Sequence, residues 1–166
     1  MATVPLFSKL YQPFRPRVGD SHLLSRSQRL MIEQGWIHPA GSGRFYLLPL
    51  AQRALNKLTE LIRKLMNEQL GAQELTCPSL NERKLWEVSG RWEEMGSDLI
   101  KLTDRNEKEY CLCPTHEESM AHLLASMAPM LPPTRLFPLL LYQITEKHRD
   151  EAAPRFGLLR ARSFLM

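Results

Sequence analysis

Between residues 149 and 164 the chain sets Arg149, Asp150, Glu151, Arg155, Arg160, Arg162 and Phe164 in a strand–loop–strand pattern. On a strand, residues two or four apart share a face, which lines up Arg149 with Glu151 and Arg160 with Phe164. Two guanidiniums, a carboxylate and an aromatic ring on one sheet surface would make a nucleotide site. Guanidinium forks grip phosphates bidentately and the ring stacks on a base. The ordinary alternative is a solvated hairpin whose charges pair with one another. A second cluster, Cys113-Pro114-Thr115-His116-Glu117-Glu118, reads first as a helix start, with Thr115 and Glu118 as a capping box. The same segment places Glu117 as an anion beside a hydroxyl, suited to holding an ammonium or iminium group.

Other motifs fail on spacing. His116, Glu117, Glu118 and His122 resemble a zinc-protease helix, but the second histidine would have to stand at Met120. Six residues apart, at about 100° per residue, the two histidines point to different faces. Cys111 and Cys113 share a strand face with no second pair nearby, so no metal ligands are assigned. There is no P-loop, no Gly-x-Gly-x-x-Gly and no Gly-x-Ser-x-Gly. Three cysteines, Cys77 being the third, are a sparse and odd set that argues for free thiols in a reducing compartment.

The elements that must carry these residues can be read from periodicity and punctuation. Residues 25–34 read as a helix stopped by Gly35, and residues 44–48 as a strand after the turn 39–43. Pro49 opens a long helix whose Leu50, Ala54, Leu58, Leu61 and Leu65 form one stripe, ended by Gly71. A strand over 73–77 ends at Pro78, and Ser79 with Glu82 is a capping box for the next helix. Residues 99–102 and 109–112 form a hairpin; residues 139–148 and 156–166 read as two further strands. Helices mixed with hairpins, without a strand–helix–strand alternation, predict an α+β fold: a mainly antiparallel sheet flanked by helices.

The 166 residues are enough for one domain with a core of its own. With 43% hydrophobic and 24% charged residues, the composition excludes a disordered tail, a collagen-like fibre and a disulfide scaffold. No apolar run approaches the roughly 18 residues of a membrane span, so no membrane partner is expected. The net charge of +4 permits a polyanionic partner. Residues 1–20 form a basic arm with no acidic residue before Asp20, in the manner of a mitochondrial transit peptide, although Pro5, Pro13 and Pro16 interrupt any helix there. The second region is 21–166.

The run from Lys147 to Phe164 resembles motif 2 of the class II aminoacyl-tRNA synthetases, in its prolyl-tRNA synthetase form. Residues 113–118 resemble that family's Thr-x-Glu loop. The helix 50–70, continuing to Pro78, resembles motif 1, and Leu85, Trp86, Trp92, Met95, Gly96 and the run 108–111 are similar to the mitochondrial branch. The resemblance covers residues 27–166. It implies ATP-dependent attachment of proline to tRNA(Pro) through a prolyl-adenylate, with Mg²⁺, in the mitochondrial matrix (the cytoplasm being the alternative). Arg149 would bind the α-phosphate of ATP and the proline carboxylate, Glu151 the adenine side, and Arg160 the γ-phosphate. Phe164 would stack under adenine, while Thr115 and Glu117 would hold the imino group. The motif 1 helix would form a homodimer interface, with Leu58 and Pro78 in it.

The chain departs from the family at four places: Cys113 stands for Gly, His148 for an aromatic, Ser163 for Glu, and Ala153 where an Arg often meets the tRNA. It ends at Met166 inside an apolar strand, and motif 3 and an anticodon-binding domain are absent. The expectation is therefore the amino-terminal part of a catalytic domain, inactive by itself. A synthetase-derived module that dimerises or binds RNA without catalysis is the alternative.

Overall fold

The computed structural model describes residues 9–11, 24–130 and 137–166. Most of the basic arm and part of the proline-rich stretch 129–138 lie outside the described residues. The chain forms two compact units: Met1–Arg63 with Ala153–Ala161, and Lys64–Ala152 with Arg162–Met166.

In the first unit, α1 (Arg26–Glu33) starts where the Ser25 hydroxyl accepts the Gln28 backbone N–H at 3.3 Å. Strands β1 (Ile37–Gly41) and β2 (Arg44–Leu47) form an antiparallel hairpin with Ile37 opposite Leu47. The sequence predicts only the second of these strands, because Pro39 and Gly41 mask the first. Helix α2 (Pro49–Lys64) follows, and one wider turn over Leu65–Gln69 extends it. Gly71, at φ 64°, ends it in the left-handed conformation that costs glycine nothing. Ile32, Ile37 and Ala51 are the buried centre, covered by Phe45, Leu47 and Leu158.

The second unit carries the remaining elements. They are β3 (Gln73–Glu74), β4 (Leu80–Glu82), α3 (Arg83–Val88), α4 (Arg91–Glu94), β5 (Ile100–Thr103) and β6 (Glu109–Leu112). Then come α5 (Glu117–Met127), β7 (Leu141–Tyr142), β8 (Glu146–His148) and β9 (Ser163–Leu165). An antiparallel sheet runs in the order β4-β6-β5, β8 pairs antiparallel with β9, and β3 pairs in parallel with β7. The mixed helix and largely antiparallel sheet is the fold class expected. Trp86, Trp92, Leu99, Cys111 and Cys113 form the core, with Leu85 and Met95 against it. Apolar side chains of this size contribute about 1.5–3 kcal/mol each on burial, so the two tryptophans dominate this small centre.

Both predicted capping boxes are corrected. Residues 80–82 are strand β4, whose backbone is satisfied by β6, and α3 begins after Glu82 with no side-chain cap. Helix α5 has His116 at its N-cap position, again without a side-chain cap. The Thr115 hydroxyl bonds the Glu117 carboxylate instead. The long strands read over 139–148 and 156–166 are each interrupted. The first divides into β7 and β8, and the second holds a 3₁₀ turn over Gly157–Leu159 before β9.

Candidate active site

The register of β8 on β9 sets the site. Lys147 faces Phe164 and His148 faces Ser163, and the pairing continues one residue further as the Arg149 N–H donates to the Arg162 carbonyl at 2.9 Å. Arg149 thus leaves the ladder next to the ring two places along the partner strand. Its guanidinium lies 5.2 Å from the Phe164 ring centroid, within cation–π range. The same guanidinium donates from Nη2 to the Pro114 carbonyl at 3.4 Å. The His148 N–H donates to the Cys113 carbonyl at 3.1 Å, so β8 and the loop after β6 are tied by backbone as well.

That loop presents the second cluster. Thr115 is buried, with its hydroxyl on Glu117 Oε2, while the Glu117 side chain is 74% exposed and can meet a ligand. The Thr115 hydrogen bond, helped by the backbone N–H of Glu117 and by Arg91, holds the Glu117 carboxyl below its ordinary value. An anion therefore stands at the start of α5, where the helix dipole favours it. His116 is buried, and its Nε2 donates to the Pro78 carbonyl at 3.1 Å. Burial and the nearby Lys147 push its imidazole below the usual range, so it sits neutral.

Of the predicted residues, Arg149, Phe164, Thr115 and Glu117 are gathered through Pro114 and the β8–β9 pair. Glu151 lies past the end of β8, and its carbonyl accepts from Arg162 Nε at 2.9 Å. The expectation that Arg149 and Glu151, and Arg160 and Phe164, share strand faces is corrected. Strand β8 ends at His148 and β9 begins at Ser163. Arg160 belongs to the first unit, in an isolated antiparallel bridge with Arg155. Leu58 is exposed on α2, and Pro78 is exposed with its carbonyl accepting from His116.

Two residues, Lys147 and Arg91, were given no role in the sequence reading. Lys147 is almost fully buried and bonds the Thr145 hydroxyl. Arg91 pairs with Glu118 at 2.7 Å, and Glu118 is buried; nothing in their spacing of 27 residues announces it. Among the departures, Cys113 is absorbed by the core, where burial pushes its thiol and that of Cys111 up to about 12. Ser163 bonds Glu146 across the strands.

Residues 100–166 match the tRNA synthetase class II core domain (G, H, P, S and T). The curated relatives the chain is similar to are named proline–tRNA ligases. The chain is 48% identical over 167 residues to the probable mitochondrial proline–tRNA ligase of Rattus norvegicus, covering 96% of this chain and 34% of the relative. It is 42% identical over 161 residues to the proline–tRNA ligase of Pseudothermotoga lettingae, covering 96% and 27%. The chain spans about a third of the length of the curated relatives it matches.

Among solved structures it is similar to the RNA binding domain of threonyl-tRNA synthetase from Cryptosporidium parvum, with a TM-score of 0.73 and 25% identity over 83% of this chain and 34% of that one. It shares the fold of prolyl-tRNA synthetase from the same organism, complexed with halofuginone and AMPPNP. There the TM-score is 0.70 at 20% identity, over 82% of this chain and 27% of that one.

Proposed function

We propose that this chain provides part of the active site of a proline–tRNA ligase, which joins proline to ATP as prolyl-adenylate and passes the prolyl group to tRNA(Pro). The observation that carries this reading is the Arg149 guanidinium, held over Phe164 and against the Pro114 carbonyl beside Thr115 and Glu117. One cation thereby adjoins both a ring on which adenine would stack and the loop that would hold an amino acid.

In the first step a proline carboxylate oxygen attacks the α-phosphorus, the bond to the bridging oxygen breaks, and pyrophosphate leaves. Two anions must approach, so a fixed guanidinium at the developing charge lowers the barrier more than a mobile one could. Arg149 is that group, bound to the α-phosphate and the carboxylate. Glu117, kept ionised by Thr115, holds the imino nitrogen so that the carboxylate points at phosphorus. In the second step a ribose hydroxyl at the tRNA 3′ end attacks the acyl carbon and AMP leaves. Glu151 is assigned to the adenine side and Arg160 to the γ-phosphate on the resemblance. Mg²⁺ would supply further counter-charge to the phosphates as the pyrophosphate leaves.

The rat, human and mouse relatives named mitochondrial, together with the basic residues 1–20, support the mitochondrial matrix as the compartment. The exposed Leu58, Leu61 and Ile62 of α2 support a homodimer. The test is charging of a tRNA(Pro) transcript with labelled proline, by this chain and by the chain completed with the remaining length of its rat relative. Charging by the completed chain is expected. A folded completed chain that charges nothing would overturn the reading and leave a non-catalytic module.

A further inference from the structure

Arg91 opens α4, and its half-buried guanidinium meets carboxylate, thioether and aromatic neighbours. Its Nη1 lies 2.7 Å from Glu118 Oε1 and 4.0 Å from Glu117 Oε2. Its Nη2 lies 3.9 Å from Met95 Sδ, and its guanidinium carbon is 5.5 Å from the ring centroid of the fully buried Trp86. The Glu118 side chain is only 6% exposed, and its Oε1 also takes the Ser89 hydroxyl at 3.4 Å. A carboxylate buried in the first turn of α5 requires a cation, and Arg91 is the one it has. These neighbours tie the Arg91 guanidinium to the first turn of α5 through Glu118. Glu117 is the next residue along. The Thr115 hydroxyl and Arg91 both meet its Oε2.

We propose that Arg91 is the positioning residue for the imino-acid end of the site: clasping Glu118 and facing Glu117, it sets the carboxylate that meets a secondary ammonium substrate. This rests on the role given to Glu117 above. The titratable and charged groups facing Glu117 are Arg91 from α4, Lys147 from β8, the neutral His116 beside it and Glu118 in its own turn. A test must hold Lys147 and His116 constant.

Arg91→Ala alone would strand the buried Glu118 charge and unfold the turn. The informative pair is therefore Glu118→Gln against Arg91→Gln/Glu118→Gln. Both remove the buried carboxylate charge, and only the second removes the cation facing Glu117. In carbon-13 titrations of the Glu117 carboxyl, the double variant should titrate at higher pH than Glu118→Gln. In the completed chain, the double variant should raise the proline KM about fivefold, as for a partly screened ion pair, with the ATP KM unchanged. The acid limb of its kcat/KM for proline should move to higher pH, and Arg91→Lys should return it. An identical Glu117 titration in the two variants, or KM values for proline and ATP that rise together, would overturn the proposal. A shifted titration with no pyrophosphate exchange in the completed wild-type chain would instead overturn the assigned function, and the imino-acid role with it.

Discussion

Arg149 holds two contacts at once, the Phe164 ring and the Pro114 carbonyl, and its exposed guanidinium remains available to an anion. In the completed chain, Arg149→Ala should lower the rate of proline-dependent pyrophosphate exchange by on the order of 10²-fold or more, the loss typical of one transition-state charge donor. The melting temperature should stay within a few degrees; a loss below tenfold would contradict the charge-stabilising role. His116 gives a pH signature. Its folded-state value lies below the ordinary 6.5, so the unfolded chain takes up a proton first as the pH falls. The contribution of the neutral imidazole is complete above pH 6.5 and is lost as pH falls toward the folded value. The melting temperature should therefore drop below that pH, less steeply in His116→Gln, and parallel curves would refute the assignment. Cys111 and Cys113, pushed up to about 12, should react with a thiol reagent at pH 8 only after denaturation; fast native reaction would show them accessible. The arginines and Phe164 were legible because charge and ring types alternate over a short stretch. Arg91 was not, since its partner Glu118 is 27 residues distant.

The elements were legible where punctuation and periodicity agree. Ser25 before α1, Pro49 opening α2, and Gly71 after it all mark boundaries the structure keeps. The hairpin of β5 and β6 was equally clear, and its turn is closed by the Asp104 carboxylate accepting the Asn106 and Lys108 N–H groups at 2.8 and 2.9 Å. Reading failed where a local signal competes with a distant partner. Ser79 and Glu82 spell a cap, but β6 offers residues 80–82 a ladder, and sheet pairing wins. Gly157 belongs to this scale as well. At φ +61° it starts the 3₁₀ turn, and an added Cβ would lie 3.1 Å from Gln28 Cβ. Gly157→Ala should cost about 1–2 kcal/mol from the left-handed backbone, with the Gln28 clash added. Chemical denaturation measures this, and an unchanged midpoint would show that the turn relaxes freely.

For the molecule as a whole, the apolar stripe of α2 is partly committed. Ala51 is buried in the first unit, whereas Leu58 and Leu61 are each 53% exposed. Two large side chains left in water on one helix face argue for a second copy of the chain against them. Sedimentation should show a dimer that Leu58→Asp/Leu61→Asp converts to monomer with its circular dichroism intact; equal sedimentation of both would remove α2 from the interface. The resemblance to proline–tRNA ligases was legible because the Arg149-to-Phe164 segment and the Thr115–Glu117 loop occur together in order, a conjunction far more specific than either alone. Proline-dependent exchange of pyrophosphate into ATP, measured on this chain and on the completed chain, tests the central claim most directly. The account predicts exchange by the completed chain, its loss in Arg149→Ala, and none by the 166 residues alone. A folded completed chain without exchange, or one whose exchange survives Arg149→Ala, would contradict it.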